Sequence, residues 1–255
     1  MTRATTALAA AGFDALAVKP ATDDLQSVAR RFAGTVVLDF EGRAHLPSPE
    51  VVADVARDRP VVVTAPVRAD GFDPLGDDEL LERYGEVADL AVVAGNGAYL
   101  QAHECRRGIA TRLSAALDRH SDAWVGTEGI ERVALATGAT QYELLGRTTA
   151  REVRAMRTVG FEGDVVVYAP TVVSDDADVA LDALGEYVAR RRPVAERLPD
   201  GAATDATAVG HARAVLLEAV ADYGIVGSAE RVATRLEELR DAGVTAIVGL
   251  PATGH

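Results

Sequence analysis

Two carboxylates separated by one aromatic residue, Asp39 and Glu41, stand at the end of the β-branched run TVVLDF at 35–40, the first inside it and the second just past it, and the only lysine of the chain, Lys19, is next to last in another such run at 13–20. Positions two apart in an extended strand project to the same side, so Asp39 and Glu41 can share a site as acid and base, or orient a bound ring. Lys19 supplies a compact positive charge, and an amine of lowered basicity at that place would form a Schiff base. Thr64 and Arg68 stand at and just past the end of a third run. Gly95-Asn96-Gly97 follows a fourth, Gly126-Thr127-Glu128-Gly129 a fifth and Gly146-Arg147 a sixth. Glycine turns let backbone N–H groups approach a phosphate closely, and Arg68 or Arg147 can meet an anionic tail. Tyr168, Thr171 and Thr253 complete the polar set. Asn96 has an ordinary role too, as a turn former between glycines.

Other chemistries lack their residues. His45, His103, His120, His211 and His255 have no metal-ligand spacing, and one cysteine, Cys105, cannot make a thiolate zinc site. His103-Glu104-Cys105 places a thiol near a base, but neighbours on a helix diverge. No serine elbow, phosphate-binding P-loop or complete dinucleotide fingerprint occurs, so no metal is expected.

The elements that must carry these residues repeat along the whole chain. Eight short apolar runs, at 13–20, 35–40, 60–66, 88–95, 122–127, 140–146, 164–170 and 244–251, alternate with helical segments rich in Ala, Arg and Glu. Runs that are apolar almost throughout fit parallel strands covered on both faces. Eight of them in 255 residues predict one (β/α)8 barrel of TIM type, with an open doubly wound sheet as the rival. No linker divides 1–255, which reads as a single domain. Ser48-Pro49-Glu50 and Ser228-Ala229-Glu230 read as helix starts, and Gly243 as a helix stop. Residues 192–205, with two prolines and DGAATDAT, read as a mobile loop between helices, either of the kind that closes over a barrel mouth or one on the outside. Barrels of this type work at the C-terminal ends of their strands, where the candidate residues lie.

Composition narrows the partners. Asp plus Glu number 39 against 26 Lys plus Arg, a formal net charge of −13, which disfavours nucleic acid. An acidic chain almost purged of lysine resembles salt-adapted proteins of halophiles. No apolar stretch reaches the roughly 18 residues of a membrane span. The N-terminus carries no secretory pattern, and a single cysteine forms no internal disulfide, so a cytoplasmic protein is expected.

From the fourth run onward the chain resembles the luciferase-like family of flavin- and deazaflavin-dependent oxidoreductases. The stretch YGIVGSAERVATRLEELRDAGVTAIVGLP is similar to the family's closing helix and strand, and DVVVYAPTVVSDDADVALDALGEYVARR to its seventh strand and following helix. AVVAGNGAYLQAHECRRG resembles the fourth strand with its glycine turn, and WVGTEGIERVALATGATQYELLG the fifth and sixth. The resemblance covers about two-thirds of the chain. It implies a bacterial-luciferase-like barrel binding FMN or a deazaflavin (coenzyme F420) across its mouth, with hydride passing to or from a small organic substrate. It also implies monooxygenase-like relatives and a homodimer formed through outer helices.

The catalytic candidates are Asp39, Lys19 and Glu41; the resemblance maps the family's acid or histidine pair after the second strand onto Asp39 and Glu41, while Lys19 stands out as the only lysine, at the end of the first run. Gly95, Asn96, Gly97, Thr64, Gly126, Thr127, Gly129, Gly146 and Arg147 become the cofactor candidates. Two departures stand out: the usual histidine beside Asp39 is missing, and only about 25 residues separate the fourth and fifth runs, where the family carries a long insertion. Two other readings therefore stay open. One is a shortened, non-catalytic relative that binds flavin or is structural, and the other a lyase or isomerase acting on a phosphorylated small molecule through Lys19.

Overall fold

The computed structural model describes residues 2–126 and 135–252. Its strands are β1 (Ala15–Val18), β2 (Thr35–Leu38), β3 (Val61–Pro66), β4 (Asp89–Val93), β5 (Trp124–Gly126), β6 (Gln141–Leu144), β7 (Val165–Val173), β8 (Ile225–Gly227) and β9 (Ala246–Pro251). Their order in the sheet is β6-β5-β4-β3-β2-β1-β9-β7-β8, and β6 also pairs β7. Eight strands thus close into a (β/α)8 barrel, and β8 is an addition beside β7. Eight apolar runs were expected. The ninth strand has three residues, too few to display a period, and it pairs Thr171, Val172 and Val173 with Ile225, Val226 and Gly227. That partner lets β7 run beyond the expected end at 170, because Thr171-Val172-Val173 is itself β-branched.

Within this fold the chain forms two compact units. The first comprises Ala15–Glu143 with Glu162–Val166 and holds β1 to β6, all parallel where paired. Val36, Val37, Val63, Ala65, Ala91, Val92 and Val125 are fully buried, as expected for strands covered on both faces. An aromatic column flanks the sheet. Phe40 meets Phe72 edge-on at 5.6 Å, Phe72 stacks on Tyr84 at 6.0 Å, and the Tyr84 hydroxyl donates to the Pro47 carbonyl at 2.5 Å. The helix Pro49–Ala56 begins at the expected place, with Pro49 in its first turn. Ser48 precedes it without capping a backbone N–H; its side chain hydrogen-bonds Glu50 instead and lowers the pKa of that exposed carboxyl.

The second unit comprises Met1–Asp14, Leu144–Phe161 and Val167–His255. Its core packs the helix Ala177–Ala189 against the helix Gly210–Tyr223 through Leu181, Leu184, Val188, Val215, Leu216 and Val220. The stretch at 192–205, expected to be a mobile loop, carries the short helix Arg192–Ala195 and buries Val194 in that core. The segment lies so close to the first helix that a Cβ on Gly185 would fall 1.9 Å from the Thr204 carbonyl oxygen. The helix Ala229–Asp241 starts at Ser228, whose hydroxyl accepts from Arg231 N–H, and stops at Gly243 with φ +106°. There Val244 N–H returns to the Leu239 carbonyl and Gly243 N–H to the Arg240 carbonyl, the paired closure that a left-handed glycine permits.

Candidate functional site

Register assigns the polar residues of the first unit to one face. Val18 pairs Leu38, Leu38 pairs Val63, Thr64 pairs Ala91 and Ala91 pairs Trp124. In parallel strands, paired residues project to the same side. One residue past the β1–β2 ladder, Lys19 and Asp39 therefore share the face of Thr64, Ala91 and Trp124; the Asp39 N–H still donates to the Val18 carbonyl at 2.9 Å. Val125 pairs Gln141, which puts Gly126 and Tyr142 on that face as well.

Lys19 and Glu41 meet at this end of the sheet. The ammonium lies 3.7 Å from Glu41 Oε1, with the lysine side chain 39% exposed and the glutamate 11%. Glu41 Oε2 accepts the Ala21 N–H at 3.1 Å. The turn after β1 is tightened further where the Lys19 N–H donates to Asp23 Oδ2 at 3.1 Å and the Lys19 carbonyl accepts from Asp23 N–H at 2.7 Å. Glu41 thus holds Lys19 by charge and its turn by backbone. Lower on the same face, Thr64 is 9% exposed and its hydroxyl oxygen is closed to solvent, without a hydrogen bond among the described residues. Such a group costs about 1–3 kcal/mol, and its presence asks for a partner. Tyr142 is buried; burial raises the pKa of its phenol well above the ordinary value, and the charge of Asp39 adds to the effect.

The turn after β4 is built differently. Gly95 has φ +86°, and a Cβ there would lie 2.9 Å from both Leu100 Cδ1 and Pro66 Cβ. Asn96 is exposed, and its Oδ1 accepts the Ala98 N–H at 2.9 Å, an Asx turn within the loop. Gly97 has room for a side chain, the nearest atom being Cys105 Sγ at 3.8 Å. Arg68 spends its fork on protein: Nε on the Ala94 carbonyl at 2.7 Å, Nη2 on that of Gly95 at 2.9 Å and Nη1 on that of Cys105 at 2.9 Å. It staples the loop after β3 to the loop after β4.

An ionic cluster reinforces that staple. Arg107 reaches Asp70 at 2.5 Å, Asp73 at 3.3 Å and the Arg68 carbonyl at 2.7 Å, while Arg112 reaches Asp73 at 2.8 Å. Asp70, His103 and Glu104 bring ligand atoms within 4.8 Å of one another. Yet both Glu104 oxygens accept backbone N–H groups, from Asp70 at 2.8 Å and Gln101 at 2.6 Å. Asp70 likewise faces Arg107 and His103. Their capacity is consumed by the fold. Hydrogen bonding to Arg107 lowers the Asp70 pKa.

The remaining expected residues fall elsewhere. Gly126 is required by packing, since a Cβ would lie 2.8 Å from the Tyr142 carbonyl oxygen. Thr127, Glu128, Gly129 and Thr253 lie outside the described residues. Gly146 N–H donates to Thr149 Oγ1 at 2.9 Å, opening the helix Thr149–Thr158, and the charge of Arg147 acts on Glu218 and Asp222. Tyr168 is buried within β7, and the Thr171 hydroxyl donates to the Ala169 carbonyl at 2.9 Å. Sequence reasoning overlooked Trp124 and Tyr142. Their signals were a single tryptophan in the chain and a tyrosine second in a strand.

Lys19, Asp39, Glu41 and Thr64 therefore lie at or near the C-terminal ends of strands in a (β/α)8 barrel, the end where such barrels bind ligands. The chain itself belongs to the family of unknown function DUF7388, whose model matches residues 8–255. No curated protein sequence matches it. Among solved structures it is similar to an F420-dependent secondary alcohol dehydrogenase in complex with an F420-acetone adduct. The TM-score is 0.60, with 10% identity, over 93% of this chain and 92% of that one. At that identity the likeness concerns the fold. Among the described residues, no helix is long and apolar enough to cross a membrane.

Proposed function

We propose that the chain is a luciferase-like oxidoreductase that binds a deazaflavin at the strand ends and transfers hydride to or from a small organic substrate. The observation that carries this reading is the buried Thr64 hydroxyl without a hydrogen bond, on the face it shares with Lys19 and Asp39. A polar ring edge offering donors and acceptors satisfies that oxygen, and an apolar occupant does not. The choice of deazaflavin over FMN is supported by the F420 carried by the dehydrogenase of similar fold.

On this reading Thr64 contacts the ring, Asp39 orients it or accepts a proton, and Lys19 holds an anionic edge while Glu41 sets its position. The turn at Gly95, Asn96 and Gly97 offers backbone N–H groups to the phosphate-bearing tail. When bound, the deazaflavin supplies two-electron hydride chemistry that no side chain here provides. The non-catalytic relative stays as the second reading. It is favoured by Arg68 and Arg107, which lock the loops after β3 and β4 where a family-like insertion would stand.

The test is optical. Trp124 is the only tryptophan and lies on the same face as Thr64, so a bound deazaflavin is expected to quench its fluorescence, and to do so more weakly in Thr64→Val. Absence of quenching and of any thermal shift with both F420 and FMN would sink the proposal. Quenching without hydride exchange across a broad donor and acceptor panel selects the non-catalytic relative.

A further inference from the structure

The second unit carries a groove of its own. It lies beside β8, which pairs only with β7 among the described residues, and has a volume of about 540 Å³. Ala221, Gly224, Ile225 and Val226, at the end of the helix Gly210–Tyr223 and in β8, give it a small and apolar lining. The helix Ala229–Asp241 supplies the rest, Glu230, Arg231, Thr234, Arg235 and Glu238. Two guanidiniums and two carboxylates cancel here, on a chain whose formal net charge is −13. Copies of so acidic a chain repel one another, and the repulsion is weakest where the local charge cancels. These charges are also loosely committed. Among the described residues, Arg231 is 75% exposed and reaches only Asp175, at 3.9 Å, while Glu238 is 57% exposed and accepts from Arg235 at 2.8 Å.

We propose that a second copy of the chain docks in this groove, through the helix Ala229–Asp241 laid antiparallel against itself. Residues seven apart on a helix lie on one stripe, two turns or about 10.5 Å apart. Arg231 and Glu238 are such a pair, with Thr234 and Arg235 between them. A two-fold axis passing between Thr234 and Arg235 brings Arg231 opposite the partner's Glu238, and Glu238 opposite the partner's Arg231. The contact counts twice, as in any isologous interface. A parallel arrangement sets Arg231 against Arg231 and Glu238 against Glu238, so charge selects the antiparallel one. Arg231 and Arg235 of one copy form the ridge that enters the groove of the other, where Ala221 and Gly224 leave room and Val226 offers apolar surface. Exposed ion pairs contribute little each, so the dimer forms and dissociates with concentration.

Sedimentation equilibrium on the intact chain, with and without charge reversal, tests this. The parent is expected to associate to a dimer as its concentration rises. A monomer up to about 1 mM overturns the proposal and leaves the groove to another occupant. Arg231→Glu and Glu238→Arg, each alone, set like charges opposite one another twice and are expected to weaken the dimer at least about tenfold. Together in one chain they restore opposite charges and are expected to return association to within about threefold of the parent. Single variants that dimerise like the parent put the interface elsewhere and overturn the proposal, as does a folded double variant that stays monomeric. Both positions are exposed, so circular dichroism is expected to report unchanged folding. Should a charge reversal nonetheless unfold the chain, Ala221→Trp fills the groove from another exposed position. It is expected to abolish association, and a dimer as strong as the parent's overturns the proposal.

Discussion

Two polar regions of the same compact unit treat their charges in opposite ways. In the loops after β3 and β4, Arg68, Arg107 and Arg112 place their donors on three carboxylate contacts and on the carbonyls of Arg68, Ala94, Gly95 and Cys105. Both oxygens of Glu104 are likewise taken. On the sheet face, Lys19 meets Glu41 only at 3.7 Å and Thr64 buries an oxygen with no hydrogen bond. The loop cluster is saturated, so it holds shape. The sheet face carries an outstanding cost that an occupant can remove. The denser charge thus belongs to the loops and the incomplete hydrogen bonding to the sheet face.

The sharpest way to break this contrast is Asp73→Ala. Asp73 is 2% exposed and takes both Arg107 and Arg112; removing it takes a buried partner from two half-buried cations and is expected to cost about 2–3 kcal/mol in urea unfolding. A loss below about 1 kcal/mol would mean the cluster holds little shape. Next comes Gly95→Ala, expected to cost about 1–3 kcal/mol because φ is +86° and the new methyl meets Pro66 and Leu100. Gly97→Ala serves as its control and should stay within about 0.5 kcal/mol.

Thr64→Val runs the other way. It relieves the buried hydroxyl and should raise stability by about 1 kcal/mol, while weakening deazaflavin binding about tenfold, or about 1.4 kcal/mol. Equal or better binding would remove Thr64 from the site. The smallest effect is the acid limb. The Asp70 carboxyl has its folded pKa lowered, chiefly by Arg107, so the folded chain gives up that proton more readily than the unfolded one. Its contribution is complete above the unfolded value of about 4 and is lost as pH falls through the lower folded value. Arg107→Ala should flatten that limb in acid titrations followed by circular dichroism.

Much of the scaffold was legible because it depends on periodicity. Apolar runs gave eight strand positions, and Ser228 and Gly243 marked the last helix at both ends, since caps are local chemistry. Lys19, Asp39 and Thr64 were also legible, as residues at or near strand ends. What resisted depends on partners distant in sequence. Nothing near Arg68 says that its fork will close on Ala94 and Gly95, so it read as a free charge available to a ligand. Asn96 was singled out for its glycines, yet its Oδ1 serves its own loop. Tyr142 and Trp124 reach the site face only through strand register, which the sequence of either strand alone does not reveal. Residues 192–205 look irregular because their composition is polar, while Val194 and the missing side chain of Gly185 dock them against a helix.

The Arg68 staple has a consequence for anyone who would remodel this barrel. Because one guanidinium spans the loops following β3 and β4, neither loop is an independent module. A graft that replaces the segment after β4 must reproduce the carbonyls of Ala94, Gly95 and Cys105 in place, or carry the segment around Arg68 with it. The two loops are one transplantable part, and lengthening the shorter of them to enlarge the mouth starts with removing a single arginine.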